Sequence, residues 1–251
     1  MAYNKSFVFS CDFYDLFYQD KNYEQESSYI VHDILKLNPQ AKNLLELGCG
    51  SGNYSRWFSK QGFNIVGVDS SAHMLEMAAQ KQIPNFSTVQ ANIADFELAE
   101  KFDVCVALFD VLSYLTESED LLACFHHVNA HLEDGGYFIF DVWNSGGVYA
   151  DPPRTNTKTV KTTTETIVRT SESNVDFKTN VVEVMHTYKF YDEDETLCHQ
   201  QTEAHFMRHF CFQEIAFFAK LANFTIVKVE EPFGRAALSD KSWKACYTLK
   251  K

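Results

Sequence analysis

The sequence predicts an α/β protein: a doubly wound, mainly parallel sheet with an antiparallel β insertion after its fifth strand. Three observations predict it. Between residues 43 and 142, short apolar runs alternate with segments of helical spacing. A glycine cluster separates the first apolar run from the helix behind it. Past Trp143 the rhythm changes to β-branched residues alternating with polar ones. Apolar strands between helices suit a sheet covered on both faces, and alternation suits a sheet with one solvated face.

The elements follow in order. Up to Leu37 the chain is rich in aromatics (Phe7, Phe9, Phe13, Tyr14, Phe17, Tyr18, Tyr23, Tyr29), which predicts one or two helices capping the main domain over residues 1–37. Strands are expected at 43–47, 64–69, 86–90 and 102–108, and helices at 54–60, 72–80 and 117–132. The last helix carries Leu121, Leu122, Phe125 and Val128 at helical spacing, and Gly135-Gly136 turns into a fifth strand at 137–142. After Pro152-Pro153, three antiparallel strands are expected at 157–169, 181–190 and 197–206, with the acidic run Asp192–Glu195 as a solvated hairpin turn. A helix at 213–221 and strands at 224–229 and 243–249 return to the earlier style. The α/β domain therefore takes in residues 38–142 and 211–251, and residues 143–210 form an inserted substrate lid.

At 251 residues the chain can build one large core with a small lid. Its first ten residues lack the basic cluster, apolar run and cleavage site of a secretion signal, and no stretch is apolar for long enough to span a bilayer. The seven cysteines are scattered, odd in number and never spaced CxxC, which fits a reducing cytoplasm rather than a disulfide framework or a zinc site. A net charge of −12, from 22 basic against 34 acidic residues, disfavours nucleic acid as partner. No HExxH or acid cluster at metal spacing occurs, so no metal is expected, and His126-His127 reads as helix surface or packing. A homodimer stays open.

The sharpest signal is Leu44-Leu45-Glu46-Leu47-Gly48-Cys49-Gly50-Ser51-Gly52-Asn53. Glycines leaving a strand and opening a helix let a ligand approach bare backbone, and the helix start offers free N–H groups. A dinucleotide loop needs GxGxxG, whereas the third glycine here comes one residue early, and no GK[ST] of a P-loop follows. Asp69 closes the second strand, where a carboxylate accepts both hydroxyls of a ribose. Glu46 in the first strand either orders the loop or meets the ligand's amino group. Ser70 or Ser71 can cap the next helix.

These segments resemble motif I and the following acidic motif (Val66-Gly67-Val68-Asp69-Ser70) of class I S-adenosylmethionine (SAM)-dependent methyltransferases. The likeness extends over residues 44–142. Asn92-Ile93-Ala94-Asp95-Phe96 is similar to the adenine-binding segment, with Asn92 where an Asp is usual. Phe109-Asp110-Val111-Leu112-Ser113-Tyr114-Leu115 is similar to the segment beside the methionine part of SAM. The resemblance implies a Rossmann-like, seven-stranded sheet with SAM as cofactor. It implies a SAM site made of Glu46, Gly48, Cys49 and Gly50 on the loop, Asp69, Ser70 and Met74 after the second strand, and Asn92, Ile93 and Phe109 further on.

The N-terminal run Phe13-Tyr14-Asp15-Leu16-Phe17-Tyr18, with Tyr23, resembles small-molecule methyltransferases, notably N,N-dimethyltransferases of 3-amino sugars, which also carry an antiparallel insertion after the fifth strand. This implies Tyr14 near the reacting centre and Tyr18 and Tyr23 on the cofactor side. Those enzymes have a histidine where this chain has Tyr114. Within the insertion, Glu203 and His205 share one strand face; the pair either orients or deprotonates the acceptor or is a solvated cross-strand pair. Arg208 either holds an anionic acceptor group or makes a surface salt bridge, and Trp143 and Tyr149 are candidate pocket walls. The resemblance thus implies methyl transfer to a small molecule, at an amine nitrogen, with Tyr14, Tyr114 and His205 as catalytic candidates. Methylation of oxygen or carbon, or a non-catalytic SAM-binding partner protein, are the alternatives.

Overall fold

The computed structural model describes residues 9–234 and 236–251; Phe7 of the aromatic run lies outside them. A 3-10 turn at Ser10–Phe13 leads into α1 (Tyr14–Phe17) and α2 (Tyr23–Leu37). Asn22 caps α2 by accepting the Gln25 N–H, and Glu24 and Glu26 in the first turn suit the helix dipole. Then come β1 (Asn43–Leu47), α3 (Ser55–Lys60), β2 (Asn64–Asp69), α4 (Ala72–Gln80), β3 (Phe86–Gln90) and β4 (Phe102–Ala107). A 3-10 turn at Val111–Tyr114 precedes α5 (Ser118–His131) and β5 (Leu132–Trp143). Strand β5 starts before Gly135-Gly136 and absorbs that pair as an irregularity opposite β4.

The insertion contains α6 (Ser145–Ala150) and four strands, β6 (Asn156–Lys161), β7 (Thr166–Asp176), β8 (Val181–Tyr191) and β9 (Leu197–Arg208), paired antiparallel in sequence order. One expectation is corrected here. The strand expected over 157–169 is two strands, because Thr162 Oγ1 accepts the N–H groups of Thr164 and Glu165 and turns the chain between them. The Gly146-Gly147 pair lies inside α6. A Cβ on Gly147 would come within 2.5 Å of the Ser242 carbonyl, so the glycine permits that helix to lie against residue 242.

After α7 (Phe212–Leu221), β10 (Thr225–Glu230) and β11 (Lys244–Lys250) complete a seven-stranded sheet of order β10-β11-β5-β4-β1-β2-β3. Strand β11 runs antiparallel to both of its neighbours, β5 and β10. The sheet is buried on both sides, and β1 displays the alternation: Leu45 and Leu47 join the face carrying Phe125, Val128 and Phe218 of α5 and α7, while Leu44 joins the face carrying Ile30, Ile34 and Phe58 of α2 and α3. The N-terminal aromatics divide between two bodies. Helix α2 belongs to the main core, whereas Phe9, Phe13, Leu16 and Phe17 pack with Val160, Ile167, Tyr188 and Phe190 of the insertion. Among the described residues no helix is long and apolar enough to cross a membrane.

Candidate active site

Strands β1 to β5 are parallel; β1, β2 and β3 succeed one another toward one edge of the sheet and β4 and β5 toward the other, so the order reverses between β1 and β4. Open α/β sheets bind ligands at such a reversal, outside the carboxyl ends of the strands. Here those ends carry the glycine loop after β1 and the Phe109–Tyr114 segment after β4, and they touch: a Cβ on Gly48 would lie 2.6 Å from the Val111 side chain. Gly48 and Gly50 both have positive φ, at 63° and 53°, which an L side chain adopts only with strain. Over Gly50 the space is open: no atom of the described residues comes within 4 Å of where a Cβ would stand.

Asp69 braces this loop. Its Oδ2 accepts the Gly50 N–H at 2.8 Å and its Oδ1 the Ser71 N–H at 2.9 Å, while burial raises its pKa. Ser71, not Ser70, caps α4, by accepting the Met74 N–H. Ser70 is exposed and Met74 is buried. Glu46 is buried beneath the loop, accepts a hydrogen bond from Ser55 at the start of α3, and has its pKa pushed up to about 8 by burial. Cys49 is buried, its thiol filling the space that Gly67 leaves by lacking a Cβ. Asn92 turns its own segment by accepting the Ala94 N–H, and Ile93 packs half-buried against the core.

The N-terminal segment fastens onto the loop through an acid that the sequence did not single out. The Asp15 carboxylate accepts from Ser51 Oγ at 2.6 Å and Asn53 Nδ2 at 2.8 Å and pairs with Lys81 at 2.6 Å. Burial opposes its ionisation, but these partners outweigh burial and lower its pKa. The adjoining tyrosines are thereby brought over the switch point. Tyr14 and Tyr18 pack at 4.9 Å between ring centroids, and Tyr18 meets the Phe109 ring edge-on at 5.1 Å. Tyr23 packs edge-on against Tyr54 at 4.9 Å. Burial, with Tyr23 next, drives the Tyr14 pKa well above its usual value. Lys21 sits over the Phe109 ring, 4.4 Å from its centroid.

Where the insertion meets the α/β domain, Tyr114 from the turn after β4 and His205 from β9 meet, with the Tyr114 hydroxyl 3.0 Å from His205 Nδ1. The Nε2 of His205 faces Glu203 Oε1 at 3.6 Å, and Glu203 Oε2 accepts the Ser10 N–H at 2.9 Å. Burial opposes ionisation of Glu203, yet the hydrogen bonds from His205 and Ser10 hold its pKa down at about 2. His186 of β8 packs against His205 at 4.8 Å and is kept neutral, its pKa lowered to about 3 by burial and then by His205. The pair is therefore buried and inward, not a solvated cross-strand pair.

The remaining candidates lie elsewhere in the contact network. Arg208 reaches the Thr116 carbonyl at 3.0 Å, Ser118 Oγ at 3.2 Å and the Glu214 carboxylate, tying β9 to the start of α5 and to α7. Tyr149 is exposed, stacks on Phe177 and donates to Asn180 Oδ1 at 2.5 Å. Trp143 packs edge-on against Trp243 at 5.5 Å, with its indole beside Asp110. Two buried aspartates, Asp110 and Asp141, share the half-buried Lys244 at the ends of β4, β5 and β11, a cluster that the sequence did not announce. Asp110 stood inside a recognised motif, but nothing near Lys244 or Asp141 in the chain signals their pairing. Among the described residues no group of three or more His, Cys, Asp or Glu side chains has metal-site geometry.

Comparison with known proteins agrees with this geometry. The chain is 34% identical over 157 residues to the dTDP-3-amino-3,4,6-trideoxy-alpha-D-glucopyranose N,N-dimethyltransferase of Streptomyces venezuelae, covering 59% of this chain and 66% of that protein. It is 27% identical over 134 residues to the dTDP-4-amino-2,3,4,6-tetradeoxy-D-glucose N,N-dimethyltransferase of Saccharopolyspora spinosa, covering 53% of each. The aligned part thus spans between half and two thirds of these relatives' length. A crystal structure of a SAM-dependent methyltransferase from Clostridium acetobutylicum superposes with a TM-score of 0.81 at 22% identity, covering 96% of this chain and 97% of the other. The model of a methyltransferase domain matches residues 20–227. The chain belongs to the methyltransferase-domain family, as a class I enzyme that uses SAM.

Proposed function

We propose that the protein transfers the methyl group of SAM to an amine nitrogen of a small molecule, and that an amino-sugar nucleotide is the first class to test. The observation that carries this reading is the Tyr114–His205–Glu203 chain at the carboxyl end of β4, facing a tyrosine-lined switch point. The relatives whose names specify amino sugars support the acceptor class.

The cofactor's fit rests on the open space above Gly50 and on the Asp69 carboxylate one strand away. Each Asp69 oxygen keeps lone-pair capacity beyond the backbone N–H it accepts, enough for a ribose diol. In this reading Gly48, Cys49 and Gly50 give backbone to the amino-acid end, with Tyr18, Tyr23 and Phe109 beside it. Asn92 and Ile93 take the adenine, one by its amide and one by its apolar side chain. Residues 9–37 and 143–210 close over the cleft as cap and lid.

When bound, SAM supplies a methyl group already activated by its sulfonium; the chain's own residues align the acceptor and dispose of a proton. Tyr114 accepts a hydrogen bond from the amine, and Tyr14 lies beside it, so that the lone pair turns toward the methyl. As the nitrogen becomes cationic, its proton passes to the Tyr114 oxygen and the Tyr114 proton passes to His205 Nδ1. Glu203, ionised, holds the resulting imidazolium through Nε2. The phenol ends neutral, so its high pKa is no obstacle. An acidic surface and scattered free cysteines support a small-molecule acceptor and a cytoplasmic setting rather than a nucleic-acid partner.

The test is incubation with isotopically labelled SAM and acceptors grouped as amino-sugar nucleotides, other amines, hydroxyl compounds and carboxylates. Label transferred to an amine supports the reading. Transfer only to oxygen or carbon overturns the acceptor assignment, and SAM binding without turnover on any group favours a non-catalytic partner protein.

A further inference from the structure

We propose that Asp110 is the counter-ion of the acceptor nitrogen: the carboxylate oxygen not held by Lys244 receives an N–H of the bound amine and stabilises the ammonium that methyl transfer creates. This deepens the amine reading and rests on it.

Four observations converge on Asp110. Its carboxylate is buried, with Oδ2 paired to the Lys244 ammonium and the Trp143 indole N–H directed at the same group, yet Oδ1 makes no close hydrogen bond among the described residues. A buried carboxylate oxygen without a partner is costly and calls for an occupant or a function. Secondly, the local charges do not cancel. Lys244 is shared between Asp110 and Asp141, lying 3.4 Å from the latter, so two carboxylates face one cation. A cationic ligand nitrogen completes that set.

Thirdly, the position is the transfer point itself. On one side of Asp110, Phe109 meets Tyr18; on the other, Val111 abuts Gly48 of the cofactor loop. One turn on stands Tyr114, whose phenol feels the Asp110 charge, and the Trp143 indole approaches the same carboxylate. Lastly, the backbone is held in an uncommon state to put it there. Phe109 and Asp110 are consecutive non-glycine residues with φ of 70° and 63°, a conformation that L side chains adopt only with strain. Asp141 fixes it by accepting the Phe109 N–H at 2.6 Å.

The chemistry separates acceptor classes. An amine gains positive charge as it is methylated, so a fixed carboxylate lowers the energy of the charged product and of the path toward it. A carboxylate acceptor would instead meet like charge. Asp110 therefore acts by contact and charge, while the proton leaves through Tyr114 and His205.

The test uses three cofactor-site ligands on the whole protein: S-adenosylhomocysteine, SAM, and sinefungin, an analogue that carries an ammonium nitrogen where SAM carries the transferable methyl. Calorimetry should show wild-type protein preferring sinefungin over S-adenosylhomocysteine by about tenfold or more, the value of a charge-assisted contact. Asp110→Asn should abolish that preference while S-adenosylhomocysteine affinity stays within about twofold. An unchanged sinefungin preference in a variant that still binds S-adenosylhomocysteine overturns the proposal. So does loss of SAM affinity equal to the loss of sinefungin affinity, since that assigns the carboxylate to the sulfonium.

A second measurement needs no variant. Burial raises the Asp110 pKa to about 6, with Lys244 opposing and Asp141 adding to the shift. The groups facing it are Lys244 on β11, Asp141 and Trp143 on β5, and Tyr114 on the following turn. Lys244 is raised further from neutrality by the aspartates, against the effect of burial, and stays charged. The sinefungin preference should therefore decline as pH falls through about 6; a constant preference between about pH 5 and 8 overturns the proposal. Failure of wild-type protein to bind S-adenosylhomocysteine at all would overturn the SAM reading together with this one, whereas intact binding without the preference overturns this one alone.

Discussion

The Tyr114 hydroxyl and Nδ1 of His205 lie 3.0 Å apart, although 91 residues separate them in the chain. One residue comes from the α/β domain and the other from the inserted sheet, so the contact depends on how that sheet packs on the domain. Tyr114→Phe removes the relay oxygen and His205→Ala the final proton acceptor. Each is expected to lower kcat about 100-fold, within the range for general-base catalysis. Calorimetric affinity for S-adenosylhomocysteine should stay within about twofold, because neither group touches the glycine loop. Because the two act as one unit, the double variant should be little worse than either single one. Multiplying losses in the double variant would show that they act independently.

The glycine loop offers a test that separates folding from binding. A methyl at Gly48 strikes Val111 at 2.6 Å, so Gly48→Ala should destabilise the fold, by roughly 2–3 kcal/mol from overpacking and left-handed strain together. A methyl at Gly50 meets none of the described residues, and Gly50→Ala should cost only the strain, on the order of 1 kcal/mol. The order inverts for ligand affinity: Gly50→Ala should weaken SAM more than tenfold as its methyl enters the cofactor's space. Thermal melts and calorimetry on both variants check the inversion, and Val111→Ala should partly rescue the stability of Gly48→Ala alone.

What the sequence revealed and what it hid follow one physical line. The strands and helices of the α/β domain were legible because burial on both faces writes continuous apolar runs, and a ligand loop writes glycines at fixed spacing. Asp69 was legible for the same local reason. The turn at Thr162 was not, since alternation of β-branched and polar residues continues through it and the reversal is made by one hydroxyl. The Glu203–His205 pair could be placed on one strand face, but only tertiary contact with Ser10 and Tyr114 decides that the face is buried. Asp15, Asp141 and Lys244 carry no local mark, because each acts through partners far off in the chain.

Arg208 is expected to hold the inserted sheet against the α/β domain rather than an acceptor. It bonds the Thr116 carbonyl, Ser118 and Glu214, so Arg208→Met leaves a poorly solvated Glu214 without its cation. A loss of about 3 kcal/mol in stability is expected, as for breaking other largely buried pairs. Denaturant unfolding measures this, and Arg208→Met, Glu214→Leu should recover much of it. A double variant as unstable as the single one would assign the loss to Thr116 and Ser118.

Glu46 gives the fold a pH dependence whose sign follows from burial. Burial raises its folded pKa to about 8 from 4.5, with the Ser55 hydrogen bond opposing and Asp69 adding. The folded protein therefore holds a proton that the unfolded chain has already released between those values. The stabilisation is complete below about pH 4.5 and is lost as pH rises through about 8. Glu46→Gln keeps an acceptor for the Ser55 hydroxyl and removes the ionisable group. It should match wild type near pH 4.5 and exceed it at pH 8 and above, by on the order of 3 kcal/mol. Urea unfolding of both proteins across this range reads the difference directly. A gap between them that does not widen with pH would mean that Glu46 is ionised in the folded state, its charge matched under the loop instead of suppressed there.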